Sequence, residues 1–172
     1  MNLKKNKAVF LDRDGIINVD TGYVHEIEGF TFQEGVFSVL KHLQSLGYLL
    51  IVVTNQSGIA RGYYTQEDYQ ALTMHMVETL AQNGIGLSGV YHCPHAPDDG
   101  CACRKPKAGM LKTAQKEFNI VMRESWMIGD KDSDMLAGKN AGIKNRILVA
   151  DEKSKHAHYH VKEVLDIAKI IV

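Results

Sequence analysis

Residues 48–54 read YLLIVVT, a run with no charge and four β-branched side chains in a row. Apolar and polar positions do not alternate in it, which predicts a strand buried on both faces, as in a parallel sheet. Parallel neighbours need a crossover between them, usually a helix. The rest of the chain supplies that rhythm. KAVFLD (7–12) reads as a strand. Val36, Val39, Leu40, Leu43 and Leu46 follow at helical spacing and Gly47 closes that helix. Thr65 and Asp68 form a capping box ahead of a helix to about Gln82, with Tyr69, Leu72, Met76 and Leu80 on one face. Strands are expected again at 89–95, 125–130 and 145–150. Helices are expected at 109–118, from about Ser133 to Asn140, and around Val161, Val164, Leu165 and Ala168. The expectation is an α/β chain: a three-layer, Rossmann-like sandwich with a mostly parallel central sheet, formed as a single domain over residues 1–172.

In such sheets the ligand sits beyond the carboxyl ends of the strands, where strand order reverses. Four of these ends are polar here. The first strand runs into Asp12, Arg13 and Asp14, the second into TNQSG (54–58), the third into a Cys/His stretch and CRKP (103–106), and the fourth into GDKDSD (129–134). Charges at the end of a buried strand are costly unless paired or bound to a metal. If the backbone stays extended, Asp12 and Asp14 point the same way, and Asp130 joins them from another strand end. Carboxylates gathered like this call for a hard cation, and Mg²⁺ is the natural one. Lys105 and the Thr54 hydroxyl add groups for phosphate oxygens, and the amides around Asp14, Asn55 and Gln56 add an anion nest. The set predicts phosphoryl transfer by positioning and charge cancellation, with one aspartate as nucleophile and one as proton donor and acceptor. Position alone does not say which does which.

FLDRDG, VVTNQSG, CRKP and GDKDSD resemble, in order, the four motifs of the haloacid dehalogenase-like phosphatases, and the resemblance covers essentially the whole chain. It implies roles. Asp12 matches the nucleophile and Asp14 the general acid and base. Thr54 and Lys105 match the groups that steady the phosphoryl, and Asp12, the Asp14 carbonyl and Asp130 match the magnesium ligands. Within the family, NVDTGYVHEIEGF (18–30), TNQSGIARGYYT (54–65) and CPHAPDDGCACRKPKAGM (93–110) resemble members acting on a sugar bisphosphate. That likeness implies substrate contacts at Arg13, Asp20, Thr21, Gly22, Tyr23, Thr54, Asn55, Gln56, Ser57, Arg104, Lys105 and Lys131. The five residues between His95 and Cys101 are closer to members that act on histidinol phosphate, the alternative substrate.

CPHAPDDGCAC places Cys93, His95, Cys101 and Cys103 within eleven residues. Three thiolates and an imidazole make a closed tetrahedral Zn²⁺ set, which leaves no position for substrate and so predicts a structural zinc that fixes the adjoining Arg104 and Lys105. KHAHYH (155–160) reads as a solvated linker with no carboxylate pattern near it, Asp132 and Asp134 as helix-start residues, with support of the magnesium through water as the alternative for one of them, and Trp126 as core.

Lys plus Arg and Asp plus Glu are 20 each, so no broad basic face is available to grip nucleic acid. No apolar run reaches membrane-spanning length, and the four-residue apolar run after the basic opening is too short for a signal peptide. A cytoplasmic monomer is the expectation. The stretches after the first two motifs are too short for a large cap, so water should reach an aspartyl-phosphate, and hydrolysis is favoured over a mutase reaction.

Overall fold

The computed structural model describes residues 4–172; Met1–Leu3 of the basic opening lie outside them. Six strands form one sheet in the order β3-β2-β1-β4-β5-β6. They are β1 (Ala8–Leu11), β2 (Leu49–Asn55), β3 (Leu87–Cys93), β4 (Trp126–Gly129), β5 (Asn145–Val149) and β6 (Tyr159–Val161). Every neighbouring pair is parallel. The helices are α1 (Val36–Ser45), α2 (Gln66–Gln82), α3 (Gly109–Phe118) and α4 (Asp132–Ala141). None of these is long and apolar enough to cross a membrane, among the described residues.

The period of two along each strand divides the core in two. Val9, Leu11, Leu50, Val52, Ile128 and Ile147 face one way and pack with Val39, Leu40 and Leu43 of α1 and Leu72 and Met76 of α2. Ala8, Phe10, Ile51, Val53, Met127 and Leu148 face the other way, against Met110, Leu111 and Ala114 of α3 and Met135 and Ala141 of α4. Adjacent residues of one strand thus feed opposite layers, which is why YLLIVVT has no polar position to spare. The Thr65 hydroxyl accepts from the Asp68 N–H at 3.1 Å while the Asp68 carboxylate accepts from the Thr65 N–H at 2.8 Å, so the capping box at the start of α2 is formed.

Three elements differ from the sequence reading. β3 starts and stops two residues earlier than expected, and Pro94, which has no N–H to give a ladder, follows its last residue. The last helical segment is a 3-10 helix, Val164–Lys169. Residues 159–161 of the expected linker form a sixth strand, pairing Ile147 with Tyr159 and Val149 with Val161. Nor is the linker clear of carboxylates: His156 Nδ1 lies 2.9 Å from Asp132 Oδ1. The His160 ring accepts from the Ser154 N–H, and the His158 N–H goes to the Arg146 carbonyl.

Strand order reverses between β1 and β4. The loops after β1, β2 and β4 therefore meet at one edge, with the loop after β3 beside them.

Candidate active site

The deepest part of that edge is a ring of charge. Asp12, just past β1, is 5% exposed and Lys105 3%. Lys105 Nζ lies 2.9 Å from Asp12 Oδ1 and 2.7 Å from Asp134 Oδ1, and donates to the Val53 carbonyl at 2.8 Å. Asn55, at the end of β2, clasps the Lys105 backbone from both sides, donating to its carbonyl at 3.1 Å and accepting from its N–H at 3.0 Å. The second oxygen of Asp134 accepts from the Lys131 N–H at 3.1 Å, so one carboxylate caps α4 and holds Lys105.

Asp12, Asp130 and Asp134 each bring a carboxylate oxygen within 4.8 Å of the others. Two negative charges of the three are left over after Lys105. Burial first, and then the Asp134 carboxylate, push the Asp12 carboxyl up to about 8, with Lys105 pulling the other way. The same two causes raise Asp130 to about 6. Burial alone would lower the Lys105 ammonium, but Asp12 and Asp134 outweigh it and raise it, so the cation persists. Asp130 Oδ1 is buried with no hydrogen-bond partner. An orphaned carboxylate oxygen beside two others, in a site short of positive charge, fits a hard divalent cation. Gly15 is required for this closeness: with φ +90°, a Cβ there would stand 2.3 Å from Asp130 Oδ2.

Asp14 is not part of that ring, contrary to the expectation of two carboxylates pointing together. The strand ends at Leu11, and the N–H groups of Ile16, Ile17 and Asn18 all turn back onto the Arg13 carbonyl. This tight turn carries the Asp14 side chain to Arg13 Nη2 (2.8 Å), Asn18 Nδ2 (3.0 Å) and Gln56 Nε2 (3.0 Å). The third carboxylate of the ring is Asp134, read from sequence first as a helix-start residue, with support of the magnesium through water as the alternative for it or Asp132. It is a helix-start residue as well, but it is 1% exposed.

The second cluster sits on the loop after β3. Cys93 Sγ lies 3.6 Å from Cys101 Sγ and 3.1 Å from Cys103 Sγ, and His95 Nδ1 lies 3.4 Å from Cys93 Sγ and 3.3 Å from Cys103 Sγ. Zinc–sulfur bonds of about 2.3 Å imply tetrahedral edges of about 3.8 Å, so a small expansion admits the ion. Without it the thiols disagree. Burial pushes Cys93 up to about 12. Cys101 is lowered to about 6, its slight burial opposed by the Arg104 backbone N–H and the neighbouring thiols. The donor chemistry and spacing fit zinc.

Above the carboxylate ring opens a cleft of about 490 Å³ lined by Asp14, Asp20, Tyr23, Ser57, Arg104 and Lys131 among others. A HAD-hydrolase-like family model matches residues 102–167. A D-glycero-beta-D-manno-heptose-1,7-bisphosphate 7-phosphatase of Helicobacter pylori is 51% identical over 173 residues, covering 97% of this chain and 100% of that protein. A Campylobacter jejuni relative named for the alpha anomer is 47% identical over 169 residues, covering 96% and 97%. The chain belongs to the heptose bisphosphate phosphatase family of HAD-like hydrolases. A crystal structure of D,D-heptose 1,7-bisphosphate phosphatase from B. bronchiseptica, complexed with magnesium and phosphate, aligns with a TM-score of 0.87 at 27% identity, over 96% of this chain and 97% of that one.

The expected contacts of this heptose bisphosphatase-family chain fall into two groups. Asp20, Gly22, Tyr23, Asn55, Gln56, Ser57, Arg104, Lys105 and Lys131 line the cleft. Three do not. Arg13 is 1% exposed, its guanidinium spent on Asp14 and the Val24 carbonyl, so it supports a side chain and has no face for substrate. Thr54 is fully buried, its hydroxyl accepting from Gln56 Nε2 at 2.8 Å. Thr21 faces a neighbouring shallow depression with Val24 and Glu26. Sequence reasoning missed Tyr64 and Ser133, which also line the cleft. No local pattern marks them, because their place depends on how two loops meet.

Proposed function

We propose that this chain is a divalent-cation-dependent phosphatase that removes the 7-phosphate of D-glycero-D-manno-heptose 1,7-bisphosphate through an aspartyl-phosphate at Asp12. The observation that carries the reading is the buried Asp12–Lys105–Asp134 ion pair set at the floor of a cleft whose walls carry Arg104 and Lys131. The resemblance read from the motifs and the family of the chain point the same way.

In the first half-reaction an Asp12 oxygen bonds to phosphorus as the bond to the sugar oxygen breaks, and Asp14 gives that oxygen its proton. In the second, Asp14 takes a proton from water, the water oxygen bonds to phosphorus, and the Asp12 ester breaks, restoring both carboxyl groups. Lys105 favours the ionised form of Asp12 against the burial and neighbouring carboxylates that raise it, and meets charge on the phosphoryl oxygens. Asn55 fixes the Lys105 backbone, and the short loops leave the cleft open to water. A magnesium ion held by Asp12, Asp130 and the Asp14 carbonyl would cancel the remaining negative charge and polarise the phosphoryl. Zinc on Cys93, His95, Cys101 and Cys103 would fix the turn that delivers Arg104 and Lys105, without entering the chemistry. Arg104 and Lys131, both on the cleft wall, would take the second phosphate. Lys131 Nζ lies 3.5 Å from Asp20 Oδ2, a contact that a phosphate can displace.

The test is kcat/KM with Mg²⁺ for both anomers of the heptose bisphosphate, histidinol phosphate and fructose 1,6-bisphosphate. A preference of about a hundredfold, roughly 2.7 kcal/mol, for one heptose anomer supports the reading. Histidinol phosphate in first place overturns the substrate and leaves the chemistry.

A further inference from the structure

We infer that Tyr64 is a positioning residue for proton transfer, acting on Asp14 through the Gln56 side-chain amide. The inference deepens the phosphatase reading and rests on it.

Tyr64 and Gln56 are 6% and 3% exposed. The Tyr64 hydroxyl donates to Gln56 Oε1 at 2.5 Å. Gln56 Nε2 donates to Asp14 Oδ2 at 3.0 Å and to Thr54 Oγ1 at 2.8 Å. An amide has two ends, and its neighbours decide which way it faces. An ionised Asp14 can only accept, so the NH₂ end must face it, and Oε1 must then face a donor. Tyr64 is that donor. Burial, followed by smaller electrostatic effects, pushes its phenol up to about 12, so the O–H survives at any working pH. The ring has little room to move. A Cβ on Gly58 would come within 2.1 Å of it, and the His25 ring stacks on it at 5.0 Å and 7°. The Gln56 backbone is pinned as well, its N–H bonded to the Cys93 carbonyl at 2.7 Å.

The two oxygens of Asp14 are not equivalent. Oδ1 accepts from Arg13 Nε (3.2 Å), Arg13 Nη2 (2.8 Å) and Asn18 Nδ2 (3.0 Å). Oδ2 has Gln56 and a longer contact to Arg13 Nη2 at 3.1 Å. Oδ1 takes three donors and Oδ2 two, so Oδ2 is the freer atom to carry the proton, and the Gln56 amide fixes where that atom sits in a side chain that lines the cleft. The hydroxyl of Tyr64 therefore decides how well Oδ2 is aimed when the sugar oxygen leaves.

Tyr64→Phe keeps the ring and removes only the donor. Two substrates separate aim from architecture. An alkyl ester, the sugar bisphosphate, needs a proton on its leaving oxygen. p-Nitrophenyl phosphate gives its phosphoryl group to Asp12 and releases a stabilised phenolate that needs no proton. General acid catalysis is worth about 10²–10⁴, so a misdirected acid should lower kcat/KM for the alkyl ester by about ten- to thirtyfold. For the aryl ester the loss should stay below about threefold, because that step does not draw on the acid. An equal loss on both substrates would make Tyr64 a packing residue and overturn the inference, as would no loss on either. A wild-type protein inactive on both esters would instead overturn the phosphatase reading, so the two failures are distinct.

Discussion

The carboxylate ring and the cysteine loop are both built to hold a cation, and they are built in opposite ways. The loop takes four ligands from eleven consecutive residues. The ring takes Asp12 from the end of β1, Asp130 from the end of β4 and Asp134 from the first turn of α4, and gets its lysine from the loop after β3. The loop is closed: four soft donors complete a tetrahedron. The ring is open and short of positive charge, with Asp130 Oδ1 unpartnered. A closed local site can only hold structure in place, whereas an open site paid for by long-range folding can do chemistry. They meet at Cys103–Arg104–Lys105, where the loop hands its order to the ring.

Removing the nucleophile should break the ring's function most completely. Asp12→Asn removes the attacking charge and relieves repulsion with Asp130 and Asp134. We expect kcat/KM to fall by at least about a thousandfold, with no phosphoenzyme on rapid quench, while the melting temperature stays level or rises. Residual activity above that level would remove Asp12 from the role. Asp134 gives the next largest effect, and two variants divide its duties. Asp134→Ala leaves Lys105 short of a buried partner and α4 uncapped, and should cost about 3 kcal/mol or more of stability and about a hundredfold in rate. Asp134→Asn keeps an acceptor for the Lys131 N–H but loses the charge. It should melt well above the alanine variant and still be slow.

How each site was legible follows from this same contrast. The three cysteines and the histidine read as a zinc set stand in one short stretch whose spacing is their whole argument, and the structure brings all four together. Asp12 and Asp130 were legible because buried apolar runs end on them. Asp134 was readable as a helix-start residue or as a support for the magnesium through water, but its hold on Lys105 was not, because that lysine lies 29 positions away in sequence and meets it only in the fold. Asp14 misled for the reverse reason. The extended backbone that would align it with Asp12 stops at Leu11, and the turn that follows aims it at Gln56. The sheet itself was readable since two-faced burial leaves a continuous apolar run. β6 was not: three residues, YHV, two of them exposed, carry no such run.

Breaking the loop should do less than breaking the ring. Cys101→Ala, or slow chelation of zinc, should lower kcat/KM by about tenfold, the usual scale for a group that supports others. Added zinc should restore the chelated wild type and not the variant. Full activity in the alanine variant would show that Arg104 and Lys105 hold their places without the metal, through the Asn55 clasp alone.

The smallest effect is thermodynamic and separates the sites without any substrate. Asp12 and Asp130 are raised in the fold from 3.8 to about 8 and about 6, chiefly by burial and by Asp134. Between those values the folded chain keeps protons that the unfolded chain has lost. Unfolding then releases protons, so without a divalent cation stability falls as pH rises from about 4 to about 8. Magnesium binds the ionised ring, so its stabilisation should grow over the same window. At a fixed Mg²⁺ concentration the rise in Tm should be larger at pH 8 than at pH 5 by about 2–4 °C, or about 1 kcal/mol for a chain of this size. The Asp134→Asn variant, with one repulsive charge gone, should show a smaller difference. A magnesium shift of the same size at both pH values would mean that the ring is already ionised in the empty protein, and that Lys105 and Lys131 balance it without a metal.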